Sequence, residues 1–339
     1  MKTRQILFTS PNVAELKEND LRKMERNDVF VKMEYTAISA GTERANLVGE
    51  KNINGATISD EVNFPRVLGY SGAGIVQDTG SDVTSVVQGD RVLVYFGIHS
   101  EYNVVPETNV IKIKEDSISL LEATFLVIAG FSIAGVRKTQ LEIGESALVA
   151  GLGILGLFAV QFCKLSGAIP VIAVDPDLKR RTLALKLGAD FALDPTEENY
   201  VQKIKEITDS KGVNAIIEVS GTSVAFHQSL ECVAKQGRIA LLGCTRNPVN
   251  EVDFYHRVHF PGVTIVGANN FARPQSESSP HNWTFRDDCE AMLKLLKSNR
   301  LDVKSLLSEV HSPTEAPEVY HRLAFDQNFP IGVAFDWSK

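Results

Sequence analysis

Ser146-Ala-Leu-Val-Ala, Gly151-Leu-Gly-Ile-Leu-Gly, an apolar run to Ala168, then Ile169-Pro-Val-Ile-Ala-Val-Asp: this stretch decides the fold. Ala147 to Ala150 is a short apolar run without polar alternation, as in a strand buried on both faces. Gly151, Gly153 and Gly156 then fit G-x-G-x-x-G. The first glycine allows a tight turn, the second leaves room for a pyrophosphate, and the third lets a helix pack close to the strand. That helix opens near Ile154 and Leu155, so its free N–H groups and positive dipole end face phosphates. Val171 to Val174 is the next strand. Asp175 ends it, nineteen positions after Gly156. An acid there accepts both hydroxyls of an adenosine ribose and repels a 2′-phosphate. The reading is a dinucleotide site that takes NAD rather than NADP. Arg180 and Arg181 pull the other way, because basic residues just downstream can hold a 2′-phosphate. The alternatives for them are a solvated helix start or a cation lying over the adenine side of the cofactor.

Outward from this centre the rhythm stays regular. Helices are expected over 178–187, 200–210 and 224–233, and strands over 191–193, 213–219, 238–242 and 263–266. Alternating strands and helices make a doubly wound parallel sheet, with the order 3-2-1-4-5-6. Before it, the first ~120 residues are mainly short strands with frequent glycine turns, which suggests an irregular barrel. Ser119 to Val136 reads as one helix, with Ser119 as N-cap and Glu122 completing a capping box. The C-terminal helices over 287–297 and 317–323 and a closing strand over 332–337 return to the β-rich part. The fold class is α/β, with a catalytic domain of residues 1–129 and 267–339 around a nucleotide domain of residues 130–266.

Composition narrows the function. The 339 residues carry a net charge of −7, and no basic run is interleaved with aromatics, so nucleic acid is not an expected partner. No stretch approaches the ~18 apolar residues of a membrane span. Met1 to Asn19 has no apolar core of a secretory signal. A cytoplasmic protein is expected. The four cysteines, at 163, 232, 244 and 289, have no C-x-x-C spacing. They offer no zinc framework and read as buried, inert thiols.

The order of these parts resembles the medium-chain dehydrogenase/reductase superfamily, the group of zinc alcohol and polyol dehydrogenases and quinone reductases. The matching stretches are residues 37–43, 65–80, 89–92, 100–102, 144–175, 187–190 and 218–221. The resemblance implies a GroES-like catalytic domain beside a Rossmann sheet, and an oxidoreductase that takes NAD. By family position Ser220, Gly221, Gly243 and Cys244 lie at strand ends facing the cofactor, with Gly151, Gly153, Ile154, Leu155, Gly156, Asp175 and Arg180. A homodimer or homotetramer is implied too, with Val263 to Val266 as the candidate pairing edge.

Departures from the family pattern carry equal weight. Zinc members have Cys-Gly-Thr/Ser-Asp where this chain has Ala40-Gly-Thr-Glu43, and Gly-His-Glu where it has Gly69-Tyr-Ser71. Their third ligand falls near Val127 to Ala129. Their four-cysteine lobe would follow Val92, where this chain runs shortly to Gly97-Ile-His-Ser-Glu-Tyr. Both family metal sites are therefore expected to be absent.

Without zinc, protein donors must handle the substrate oxygen. Thr42 stands at the family's relay hydroxyl, or is satisfied in a turn after Gly41. Tyr70 replaces a metal ligand. It either donates to a carbonyl oxygen or fills the space the metal vacated. Glu43 is expected in a structural ion pair with Arg44 or the loop. His99, His256, His259 and His281 are further candidates, with surface roles favoured for the 256/259 pair. Asn269, Asn270 and the 281–283 stretch are substrate-side groups or loop core. Arg44 and Arg66 are read as exposed.

The function expected is zinc-independent hydride exchange between NAD(H) and an alcohol or carbonyl, in a small polyol, sugar or cyclitol. The alternatives are an NAD(P)H-dependent quinone or enoyl reductase and a non-catalytic NAD-binding protein.

Overall fold

In the computed structural model the apolar run after Glu145 forms the strand Ala147–Ala150 (β1), buried along its whole length. Val171–Val174 (β2), Phe191–Leu193 (β3), Val213–Glu218 (β4), Val233–Leu241 (β5) and Thr264–Gly267 (β6) complete a six-stranded sheet. All its pairings are parallel, in the order β3-β2-β1-β4-β5-β6. That is the doubly wound order the sequence predicts, with the switch point between β1 and β4. β1 and β2 have no exposed residue, because helices cover both faces of a parallel sheet. Leu148, Ile172, Ile204, Ile216 and Ile239 form its core.

The structure describes residues 1–51, 53 and 61–339. They divide into two compact units. One is Ala129–Asp288 with Arg300–Asp302; the other is Met1–Ile128 with Cys289–Asn299 and Val303–Lys339. The sequence drew its second boundary at 266, whereas packing carries the nucleotide-type unit on to Asp288. Arginine contacts explain the difference. Arg137 Nε and Arg273 Nη1 donate to the buried Asp288 carboxylate at 2.8 and 3.1 Å. Trp283 stacks under the Arg137 guanidinium at 3.8 Å.

The other unit is built on a seven-stranded sheet. Leu307–His311, Gly332–Asp336, Asp28–Ala37, Ser71–Thr79, Arg91–Tyr95 and Val110–Lys112 are neighbours in that order, and Tyr102–Pro106 pairs beside Asp28–Ala37. Lys2–Ser10 and Val13–Asp20 form a separate antiparallel pair. Phe8, Met33, Leu47, Tyr320, Phe335 and Trp337 pack in its core.

The helix expected over 119–136 is two helices, Leu120–Ala123 and Leu126–Lys138. Ser119 precedes the first but makes no side-chain cap, so the expected capping box does not form. The break has a local cause. The Thr124 carbonyl accepts from Ser71 Oγ at 2.5 Å, and the Thr124 hydroxyl donates to Tyr35 O at 3.0 Å. A carbonyl drawn to a neighbouring strand cannot continue the helical ladder.

Candidate active site

In the nucleotide-type unit the site is made mostly of backbone. The helix Ile154–Leu165 opens at Gly153, so the first N–H groups, including those of Ile154 and Leu155, have no partner inside the helix. A Cβ at Gly156 would lie 1.8 Å from the Gly151 carbonyl oxygen, so only glycine permits this closeness of helix and turn. A Cβ at Gly153 would meet no protein atom within 4 Å. The space above the turn is therefore open where a pyrophosphate would approach.

Asp175 is 5% exposed. Its Oδ2 accepts from Leu152 N at 2.7 Å and its Oδ1 from Asp177 N at 2.9 Å. The acid thus ties the end of β2 to the glycine turn. Arg180 lies 3.8 Å from its Oδ2. Arg181 is committed elsewhere, donating to the carbonyls of Asp175 and Pro176 and to Asp194.

The other cofactor candidates gather at the same end of the sheet. A Cβ at Gly151 would touch Ser220 N at 3.0 Å, and one at Gly221 would touch Cys244 O at 2.9 Å. The loops after β1, β4 and β5 therefore pack backbone to backbone. Glu218 holds the middle one and was passed over at the sequence level, where it figured only inside a matching stretch. It is fully buried. Its Oε1 accepts from Ser220 N and Oγ at 2.8 and 2.5 Å and from Gly221 N at 3.1 Å. Burial pushes its carboxyl above the usual range, against these hydrogen bonds. Its signal was an acid at the end of an otherwise apolar strand. Cys244 is exposed, which corrects the reading of four buried thiols. Cys163 and Cys232 are buried, and desolvation pushes both thiols up to about 12.

In the β-rich unit the site is made of side chains. Glu43 lies in the helix Ala40–Leu47 and is fully buried. It makes no ion pair with Arg44. Its Oε2 accepts from Tyr320 Oη at 2.6 Å and lies 3.1 Å from His99 Nε2. Its Oε1 accepts from Ser39 N at 2.9 Å, so the expectation that it holds the loop stands. His99 Nδ1 lies 2.7 Å from Thr36 Oγ1, which also accepts from Trp337 Nε1 at 2.9 Å. With His99 in its Nε2–H tautomer the donors run one way: indole to Thr36, Thr36 to Nδ1, and Nε2–H to Glu43. Every polar atom of this chain has a partner, as a buried network requires. Burial beside Glu43 pushes the Tyr320 phenol well above its ordinary range, so it stays a donor.

His99 arrives here because the connection after Tyr95 is short. His99 N donates to Leu68 O at 2.7 Å, and Asn103 clamps Ile98 through both its amide atoms. Gly69 makes room: its φ is +109° and a Cβ there would lie 2.3 Å from His99 N.

Tyr70 is half-buried, and its phenol donates to Ser39 Oγ at 2.6 Å. Ser39, the residue before Ala40, was missed by sequence reasoning because serine in a loop carries no signal of its own. Among the described residues its own hydroxyl proton has no acceptor. Thr42 is a helical residue rather than part of a turn, and its carbonyl accepts from Asn46 Nδ2 at 2.9 Å.

The remaining candidates are mainly structural. His256 and His259 are exposed, with His256 Nδ1 2.7 Å from Asp253 Oδ2. His281 is exposed at a loop tip with φ +62°. Arg66 is not fully exposed, since it braces the chain by donating to the carbonyls of Asn63 and Asn46. Arg44 donates to Ala324 O at 3.3 Å.

Among the described residues the family's zinc ligand positions carry other side chains. Ala40 and Tyr70 stand at two family ligand positions, and 127–129 are buried apolar residues. Among the described residues no three His, Cys, Asp or Glu side chains are grouped to hold a metal.

Comparison with known proteins matches this geometry. Residues 25–115 fit the alcohol dehydrogenase GroES-like domain, and residues 155–288 fit the zinc-binding dehydrogenase family. The chain is 30% identical to the L-threonine 3-dehydrogenase of Pyrococcus furiosus, over 89% of this chain and 90% of that one. It is 29% identical to the D-guloside 3-dehydrogenase of Escherichia coli, over 98% of this chain and the whole of the other. Its fold matches that of galactitol-1-phosphate dehydrogenase from Escherichia coli with a TM-score of 0.84, at 16% identity over 99% of this chain and all of that one. The chain belongs to the medium-chain dehydrogenase/reductase superfamily, as an alcohol-type oxidoreductase that uses a nicotinamide cofactor on small molecules.

Proposed function

We propose that this enzyme exchanges hydride between NAD(H) and a secondary alcohol or its ketone, on a polyol, sugar or cyclitol, without a catalytic zinc. The observation that supports the zinc-free reading is the hydroxyl pair of Tyr70, at one family ligand position, and Ser39, beside Ala40 at another. The names of the curated relatives, a guloside and a threonine 3-dehydrogenase, support a hydroxyl-bearing substrate.

The glycine turn and the opening N–H groups of Ile154 and Leu155 would hold the pyrophosphate, and Asp175 the adenosine ribose. Ser220, Gly221, Gly243 and Cys244 would line the rest of the dinucleotide. When bound, the nicotinamide supplies or accepts the hydride. NAD is favoured over NADP because the Asp175 carboxylate would repel a 2′-phosphate, while Arg181 is already engaged.

The protein must then deliver or remove one proton at the substrate oxygen. Tyr70 donates to Ser39, so the Ser39 proton is the one free to reach a substrate oxygen, with Tyr70 behind it. Thr42 offers a second hydroxyl for the same oxygen. Glu43 holds Ser39 in place through its backbone N–H. General acid–base groups contribute roughly 10²–10⁴-fold to rate. Turnover of a polyol and sugar panel with NAD should therefore fall about 10²-fold in Tyr70→Phe and at least as far in Ser39→Ala, with NADH binding unchanged. Full activity in both variants would contradict the proposal. Tight NADH binding with no turnover of any compound would favour a non-catalytic binding protein.

A further inference from the structure

Ser39 stands where a helix cap belongs and does not cap. It precedes the helix Ala40–Leu47. Serine is among the best capping residues, because its hydroxyl accepts from an N–H of the first turn. Here the Ser39 hydroxyl makes no cap bond. It accepts from Tyr70 Oη at 2.6 Å instead. The backbone agrees with this. Ser39 has a ψ of 85°, short of the extended range that a capping residue occupies.

Glu43 holds the backbone there. Its N–H donates to Ser39 O at 2.9 Å, and its Oε1 accepts from Ser39 N at 2.9 Å. One residue thus grips both backbone polar groups of Ser39. The preceding residue is pinned as well, with Ile38 N donating to Val333 O at 2.9 Å.

A glutamate side chain is flexible, so this grip depends on what fixes the far side of the carboxylate. Tyr320, on the helix Ala316–Phe325, donates to Oε2 at 2.6 Å. His99 Nε2 lies 3.1 Å from the same oxygen, and its ring is held in turn by Thr36. Tyr320 and His99 are both buried, so water does not compete for the carboxylate. We propose that Tyr320 and His99 are positioning residues for the proton step. They fix the Glu43 carboxylate, which keeps the Ser39 hydroxyl off the helix end and on Tyr70. The inference rests on the proton role given to Ser39 above.

The test is a double-mutant cycle on the full chain. It is read as kcat with NAD and the polyol or sugar that wild-type protein oxidises fastest. Tyr320→Phe keeps the ring and removes the donor. It should lower kcat about tenfold, less than the ~10²-fold that a full ångström of misplacement costs. KM for NAD should not move. In a Ser39→Ala background the same substitution should cost less than about twofold, because the group it positions is gone. Equal losses in both backgrounds, or no loss in either, would overturn the positioning role. His99 supplies an independent check. His99→Gln retains an N–H for Glu43 and should keep most of the activity, whereas His99→Leu should lose about tenfold. Glutamine no better than leucine would contradict the inference. A crystal structure of Tyr320→Phe needs no substrate. It should show Ser39 Oγ turned from Tyr70 to the N–H of Gly41 or Thr42. A Tyr70–Ser39 bond still at 2.6 Å would overturn the inference. Wild-type kcat in Ser39→Ala alone would instead sink the proton reading, and the positioning role with it.

Discussion

The two units build their sites from different materials. In the nucleotide-type unit, Gly151 and Gly156 bring backbone close to backbone, Gly153 leaves open space, and Asp175 and Glu218 tie the turns by accepting from N–H groups. In the β-rich unit, Glu43, His99, Thr36, Tyr320 and Trp337 form one side-chain chain drawn from separate segments. A backbone site tolerates change in most side chains but not in its glycines. A side-chain site depends on each polar partner. Disturbing each in turn sharpens the contrast.

Glu43→Ala should have the largest effect. It leaves Tyr320 Oη, His99 Nε2 and Ser39 N without their acceptor, and each buried donor left unsatisfied costs about 1–3 kcal/mol. Urea unfolding followed by tryptophan fluorescence would report the shift, since Trp337 ends this network. Glu43→Gln should cost less, about 1–2 kcal/mol, because one acceptor oxygen survives. A loss below ~0.5 kcal/mol for the alanine variant would place Glu43 outside the stabilising network.

Gly156→Ala comes next. Its Cβ would meet the Gly151 carbonyl at 1.8 Å, so helix and turn must part. Overpacking of this kind costs about 1–3 kcal/mol. NADH affinity should fall as well, measured by quenching of protein fluorescence. Unchanged affinity would mean that the turn does not hold the pyrophosphate.

Glu218→Gln is the mildest and depends on pH. Burial raises the folded carboxyl above its ordinary value of 4.5, so the native state binds more protons than the unfolded one just above that pH. Wild-type stability from this group therefore falls as pH rises through the window between 4.5 and the raised value. Glu218→Gln should remove that fall, with less than ~1 kcal/mol change below the window. Parallel stability–pH curves for the two proteins would contradict the assignment.

The same contrast explains what the sequence reveals. The glycine spacing, the apolar strand before it and Asp175 after the next strand are local in the chain, so the doubly wound sheet can be read from residues 146–175. The Glu43 network cannot. Its members lie at 36, 43, 99, 320 and 337, and a glutamate in a polar helix gives no sign of full burial. The boundary at Asp288 was hidden for the same reason, since Arg137 and Arg273 reach it from distant segments. The failed capping box over 119–122 shows a local signal overridden by tertiary contacts from Ser71 and Tyr35. Ser39 was silent until the structure paired it with Tyr70.

The central claim is that hydroxyl groups take the part a metal plays in related dehydrogenases. Zinc content measured by mass spectrometry on active protein, with turnover before and after exhaustive chelation, tests it most directly. Hydroxyl-based proton transfer predicts no stoichiometric zinc and unchanged turnover. One zinc per chain, lost together with activity on chelation, would contradict it.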